Sequence, residues 1–95
     1  MSSPALPAPR PDARSVACFA VHARAEPGVM PRVLELFSKR GLVPSSWHSA
    51  TGGPDQRELT IDLQMRGMEA ELADYVAACL RQIVGVEVVL TTRKR

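Results

Sequence analysis

The sequence predicts an α+β protein of ferredoxin-like βαββαβ order: a four-stranded antiparallel sheet with two helices on one face. Three observations carry this. Residues 57–66 alternate strictly, with Leu59, Ile61, Leu63 and Met65 set against Thr60, Asp62, Gln64 and Arg66, the pattern of a strand wet on one face. Two stretches, one beginning at Val29 and one at Met68, carry apolar residues at helical spacing, which asks for helices packed on one surface. Strand-like segments stand before, between and after them, the last rich in β-branched residues, giving the split βαβ arrangement.

Residues 1–14 hold four of the eight prolines and no periodic apolar pattern, so they read as a flexible tail outside the fold. The domain is expected over residues 15–92. Ser15 to Arg24 is the first strand, with Phe19, Val21 and Ala23 facing one way and Cys18, Ala20 and His22 the other.

The chain is organised around A-E-P-G-V-M-P-R-V-L-E-L-F-S-K-R-G, residues 25–41. Pro27-Gly28 is turn chemistry: proline fixes φ, and glycine can take angles closed to other residues. A helix follows, with Val29, Val33, Leu36 and Phe37 as its stripe and Met30 and Leu34 widening it. Pro31 falls in the first turn, where its missing N–H removes nothing. Lys39 and Arg40 suit the negative end of the helix dipole, and Gly41 suits a terminator.

Leu42 to Thr51 reads as a second strand weakened by Pro44 and three serines. Proline cannot serve a central ladder, so this strand belongs at an edge or begins late. Residues 51–56 (T-G-G-P-D-Q) form a hairpin loop before the third strand. The second helix is expected over residues 68–84, with Leu72, Val76, Cys79, Leu80 and Ile83 buried, Tyr75 beside them, and Gly85 closing it. Val86 to Thr92 is the last strand, and residues 93–95 are a solvated basic tail. The strand order that avoids left-handed crossovers is 4-1-3-2, leaving strands two and four at the edges. Bare edges and a small core favour pairing with a second copy, so a homodimer is expected.

Composition excludes several functions. Twelve basic and ten acidic residues give a net charge of +2, too balanced to indicate nucleic acid or a membrane surface. No apolar run has transmembrane length, and the N-terminus lacks a signal-type stretch, which makes the cytoplasm the default location. Cys18 and Cys79 fall in apolar segments and are read as buried free thiols. Cys18 and His22, four residues apart on a strand, are separated by about 13 Å and cannot share a metal. No metal and no cofactor is expected. No nucleophile stands in a catalytic setting, and Glu58, Asp62, Asp74 and Glu87 lie on wet faces, so catalysis by this chain alone is not expected. RNA-binding domains of the same order stack bases on aromatics of strands one and three. Here those strands offer only Phe19.

A strand, a tight turn and a helix start together form a concave site whose first amides lack helical partners, a setting that suits a carboxylate. On the residues alone, Pro27-Gly28 reads first as a plain connector.

The segment P-G-V-M-P-R-V-L-E-L-F-S-K-R-G, Pro27 to Gly41, with I-V-G-V-E-V-V, residues 83–89, resembles the ACT domain family. The likeness is closest to the short regulatory (small) subunits of acetolactate synthase, and it spans residues 16–92. It implies a βαββαβ domain that pairs side by side. Effector amino acids, often valine, lie between the first loop of one copy and strand two of its neighbour. Carried over, the loop positions are Glu26, Pro27, Gly28, Val29 and Met30, and the neighbour's are Val43, Pro44, Ser45 and Ser46. Effector-binding members usually have Asp or Asn where this chain has Ala25, and valine-sensitive subunits have Asn where it has Val43. The resemblance therefore implies a non-catalytic accessory subunit with weak amino-acid binding, engaging a thiamine-dependent catalytic partner in branched-chain amino acid synthesis. A free-standing amino-acid sensor, or a dimeric domain with a vestigial site, are the other readings.

Overall fold

The computed structural model describes residues 15–94, so the N-terminal tail assigned to residues 1–14 lies outside the described residues, as does residue 95. Four strands and two helices follow in the order β1 (Val16–Arg24), α1 (Val29–Lys39), β2 (Ser46–Gly52), β3 (Glu58–Arg66), α2 (Ala70–Arg81) and β4 (Val86–Lys94). The sheet is antiparallel with the spatial order β2-β3-β1-β4, the order expected. β1 and β3 pair without interruption from Val16–Arg66 to Arg24–Glu58.

The alternation predicted for β1 and β3 holds. Ala17, Phe19, Val21 and Ala23 are buried, as are Leu59, Ile61, Leu63 and Met65. Onto that face α1 lays Val29, Val33 and Phe37, and α2 lays Ala73, Val76, Ala77 and Leu80. Phe19 and Phe37 meet edge to face at a centroid distance of 6.2 Å, a geometry that suits the ring quadrupoles. The rest of the core is aliphatic, as an aromatic content of 4% requires.

Several details differ from expectation. Met30 and Leu34 do not widen the stripe of α1; they are 37% and 47% exposed. On α2 the buried face is turned toward Ala73 and Ala77, while Leu72, Cys79 and Ile83 are half-buried and Tyr75 is exposed. Val76 and Leu80 are buried as expected, and Ala73 and Ala77 join them in place of Leu72 and Cys79. α2 also ends at Arg81 rather than at residue 84. Two tight turns follow, with Ile83 N–H donating to Leu80 O and Val86 N–H to Ile83 O, and they bring Val86 opposite Ala23. β2 begins only at Ser46, after Pro44, and occupies an edge. Both cysteines are free and half-buried rather than buried. β4 runs through Lys94, so Arg93 and Lys94 are strand residues and not a solvated tail. The Arg93 guanidinium donates to Ser15 Oγ at 2.9 Å and to the Met68 carbonyl.

The helix ends match their sequence signals. Gly41 sits at φ 69°, with its N–H donating to Ser38 O and Leu42 N–H donating to Phe37 O, a paired-bond terminator that satisfies the last carbonyls. Arg40 donates to Leu36 O at 3.1 Å and to the Tyr75 hydroxyl at 3.3 Å, tying α1 to α2. That bond to Tyr75 pushes the guanidinium pKa further up. The β2–β3 connection carries Asp55 and Gln56 at φ 57° and 56°, with Arg57 N–H closing onto Pro54 O at 3.2 Å, a mirror-image hairpin turn that follows the strand twist. No helix among the described residues is long and apolar enough to cross a membrane.

Phe37→Ala removes a fully buried ring against Phe19 and is expected to cost about 3–5 kcal/mol in chemical denaturation. A loss under about 1 kcal/mol would show that the α1 face is not the centre of the core. Gly53, at φ 72° and ψ −175°, occupies a region essentially restricted to glycine, so Gly53→Ala should lose roughly 1–3 kcal/mol. Its new Cβ would also meet the flexible Glu58 side chain, which can move aside.

Candidate functional site

The first loop leaves β1 at Arg24 and enters α1 at Val29. Its path is set by backbone bonds. Ala25 N–H donates to Arg57 O at 2.8 Å, Glu26 N–H to Arg24 O at 2.8 Å, and Val29 N–H to Glu26 O at 3.1 Å. The first helix amides are therefore largely spoken for: Val29 N–H is used, Pro31 has none, and Arg32 N–H donates to Gly28 O at 3.3 Å. Gly28 and Met30 N–H remain, without hydrogen-bond partners among the described residues. This is a thinner anion cradle than the sequence pattern suggests.

Gly28 does not take a glycine-only conformation. Its φ of −80° and ψ of −9° are ordinary helical values. What glycine provides there is room: a Cβ would lie 2.8 Å from Arg32 Nη1, because the Arg32 guanidinium lies over the loop. Val29 is fully buried and contributes packing alone. Glu26 and Pro27 are exposed, and Arg24 Nε lies 3.8 Å from Glu26 Oε2 in an open ion pair.

A cleft of about 190 Å³ lies beside this loop, lined by Ala25, Glu26, Pro27, Met30, Thr51 and Leu59. A second of about 340 Å³ adjoins it, sharing Ala25 and Glu26 and adding Arg24, Asp55, Gln56 and Arg57. One half is apolar and the other carries both charge signs. Thr51 Oγ1 lies 2.9 Å from Gln56 Oε1 and donates to it at the rim.

Val43, Pro44, Ser45 and Ser46 lie elsewhere. Val43 is 82% exposed. Ser45 is held by Gln64, its N–H and Oγ both donating to Gln64 O, at 2.8 and 3.0 Å. Ser46 pairs with Gln64, while the other end of β2, Gly52, pairs with Glu58 beside Arg24. The loop positions and the strand positions thus sit at opposite ends of the sheet within one chain.

The sequence reading missed Arg32, Thr51, Leu59 and Gly85. Arg32 stands four residues after Gly28, one helical turn, which is the available signal. Thr51 and Leu59 join the site only through register. Gly85, read as the end of α2, sits instead at φ 99° beneath the loop. Its carbonyl accepts from Arg24 N–H at 2.9 Å, and a Cβ there would lie 2.9 Å from Val29 Cγ2 and 3.2 Å from Glu26 Oε1.

A profile described as ACT-like domain matches residues 10–94. No curated protein matches the sequence. Among solved structures, the chain is similar to the ACT domain of GTP pyrophosphokinase from Chlorobium tepidum, with 14% identity and a TM-score of 0.68 over 81% of this chain and 96% of that one. It is similar to the C-terminal domain of the MgtC protein from Mycobacterium tuberculosis, with 20% identity and a TM-score of 0.63 over 87% and 90% of the two chains. It also resembles the regulatory subunit of aspartate kinase from Thermus flavus, with 15% identity and a TM-score of 0.65 over 84% of this chain and 52% of that one. At these identities the likeness is one of fold.

The two glycines beside the loop should respond unequally to alanine. Gly85→Ala places a side chain at positive φ against buried Val29 and should destabilise by roughly 1–3 kcal/mol through the backbone alone. Gly28→Ala needs only a shift of the Arg32 tip and should stay within about 1 kcal/mol of the parent in thermal unfolding. Equal effects would mean that the loop is not built on Gly85.

Proposed function

The chain belongs to the ACT-like domain family, and from that premise we propose that it is a non-catalytic, regulatory-type subunit. In this reading two copies pair side by side through β2, and the pair engages a catalytic enzyme of amino-acid metabolism. The observation that carries the proposal is the separation of the two half-sites. Glu26 to Met30 lie at one end of the sheet and Val43 to Ser46 at the other. An antiparallel pairing of two β2 edges reverses one strand against the other. The partner's Val43 to Ser46 then stand beside the clefts lined by Met30, Thr51 and Asp55.

Exposed apolar residues support the same side of the molecule. Met30 shares its cleft with Thr51 of β2, so α1 borders that edge. Met30, Leu34 and Val43 leave apolar surface open there, of the kind an interface covers.

The catalytic partner we assign is acetolactate synthase, on the resemblance of Pro27 to Gly41. Amino-acid sensing is the weaker role. Ala25 has no polar side chain and its amide is already bound to Arg57 O. Val43 adds none, and among the described residues only Gly28 and Met30 N–H are without partners at the helix start. An amino acid buried with unmet polar groups loses on the order of 1–3 kcal/mol for each.

Adding the protein to its own synthase catalytic subunit should raise turnover, and valine should leave that turnover nearly unchanged. Calorimetry with leucine, isoleucine and valine should give no affinity tighter than roughly millimolar. Micromolar binding of any one would put the sensor reading first. Unchanged turnover would remove the synthase assignment and leave the paired regulatory domain standing.

A further inference from the structure

The two sheet edges are not equivalent, and the hydrogen bonding of β1 shows how. Arg24 N–H bonds toward β4 at Gly85 O, and Ala25 N–H bonds toward β3 at Arg57 O. Along an antiparallel strand these directions alternate. Odd residues of β1 therefore face β3, and even ones face β4. Val21 faces β3, so Val89, its opposite on β4, turns its own N–H and C=O to the open side. By the same alternation Leu59 and Ile61 bond to β1, and Trp47, Ser49 and Thr51 of β2 direct their backbone groups off the other edge.

On β4 two of the outward groups, the Val89 carbonyl and the Val86 N–H at the middle and start of the strand, are covered. Arg81 Nη2, at the end of α2, donates to Val89 O at 2.8 Å, and Val86 N–H donates to Ile83 O at 3.0 Å. The register skips Glu87 between Ala23–Val86 and His22–Val88, a bulge that disrupts a straight edge. Arg93 and Lys94 add charge at the far end. These are the devices that discourage edge-to-edge pairing.

β2 has none of them. Its sequence S-W-H-S-A-T-G holds no proline and no acid, lysine or arginine. Its register with β3 runs unbroken from Ser46 to Gly52. Among the described residues no group bonds to the backbone of Trp47, Ser49 or Thr51 from the open side; Thr60, which reaches Ala50 O, lies on β3. A second copy centred on Ser49 would set Trp47 against the partner's Thr51 and satisfy all of these groups at once.

We propose that Arg81 is an edge guard: by occupying the Val89 carbonyl it confines strand pairing between copies to β2, so that assembly closes at a pair. With both edges open, β2 would join β2 and β4 would join β4 in an unending row, whereas one open edge gives a closed two-fold. Arg81 thus sets the specificity of self-association. The inference rests on the reading that copies pair through β2, and the test separates the two.

The experiment is sedimentation of the full chain across micromolar concentrations, with circular dichroism to check folding. The parent should stop at twice 10.3 kDa. Arg81→Ala should exceed the pair, with a weight-average mass at least about two-fold higher and rising with concentration. Arg81→Gln serves as a second variant should alanine loosen the helix end. Arg66→Ala removes the same charge from an exposed site and should behave as the parent. Ser49→Pro removes an outward N–H without touching the β3 ladder and should give a monomer. Combined with Arg81→Ala it should give a pair again, now joined through β4. If both Arg81 variants fold and stop at the parental mass, the guard is overturned. Growth of Arg66→Ala to the same size overturns it too, since charge loss alone would then explain the effect. Persistence of the Ser49→Pro pair overturns β2 as the joining edge, a result that the Arg81 variants cannot imitate.

Discussion

Burial of β1 between β3 and β4 is the constraint on which the rest of this fold depends. Both edges of β1 are paired over its length, and its odd residues pack under the helices, with Phe19 set against Phe37. A strand hydrogen-bonded on both sides and packed on one face has no freedom to slip, because a shift of one residue would turn Phe19, Val21 and Ala23 to solvent. Every neighbouring feature takes its position from it. The direction of each β1 amide decides which groups of β3, and then of β2 and β4, point inward or outward.

The first loop inherits that order. Where β1 ends, Arg24 and Ala25 still bond to both neighbours, so the chain enters α1 from a fixed point. Gly85 makes the entry close: its missing side chain lets the turn after α2 lie against Val29 and Glu26. The loop is thus packed from below by one glycine and overlaid from above by Arg32 beside another. The amides of Ala25, Glu26 and Val29 are already bonded, which leaves few for a ligand.

The edges divide the labour of the sheet. β4 follows directly from α2, so the last residue of that helix falls next to it and can cover a carbonyl. β2 lies at the far side, beyond β3, where among the described residues neither helix end bonds to its outward groups. Chain connectivity therefore makes one edge easy to protect and leaves the other open, beside exposed Met30 and Leu34.

The order of elements, the strand order, the alternation of β1 and β3, the end of α1 at Gly41 and the lateness of β2 after Pro44 were all legible in the sequence. The strand order follows from the handedness of the crossovers, and each of the others depends on a local signal: period two, period 3.6, a positive φ or a missing N–H. What tertiary structure decided is what depends on distance and direction between segments. Ala73 and Ala77 complete the buried face of α2 beside Val76 and Leu80, while Leu72 and Cys79 are only half-buried, because the angle at which the helix lies on the sheet decides which side of its stripe is covered. Gly28 proved an ordinary helical residue and Gly85 the special one, because φ at a glycine follows from where the chain must go next. The clefts join Met30 to Thr51 and Glu26 to Arg57, pairs far apart in sequence that only the sheet register brings together. Arg81 reads in sequence as one more charged residue at the end of a helix. Its position over the Val89 carbonyl exists only once α2 has been laid beside β4.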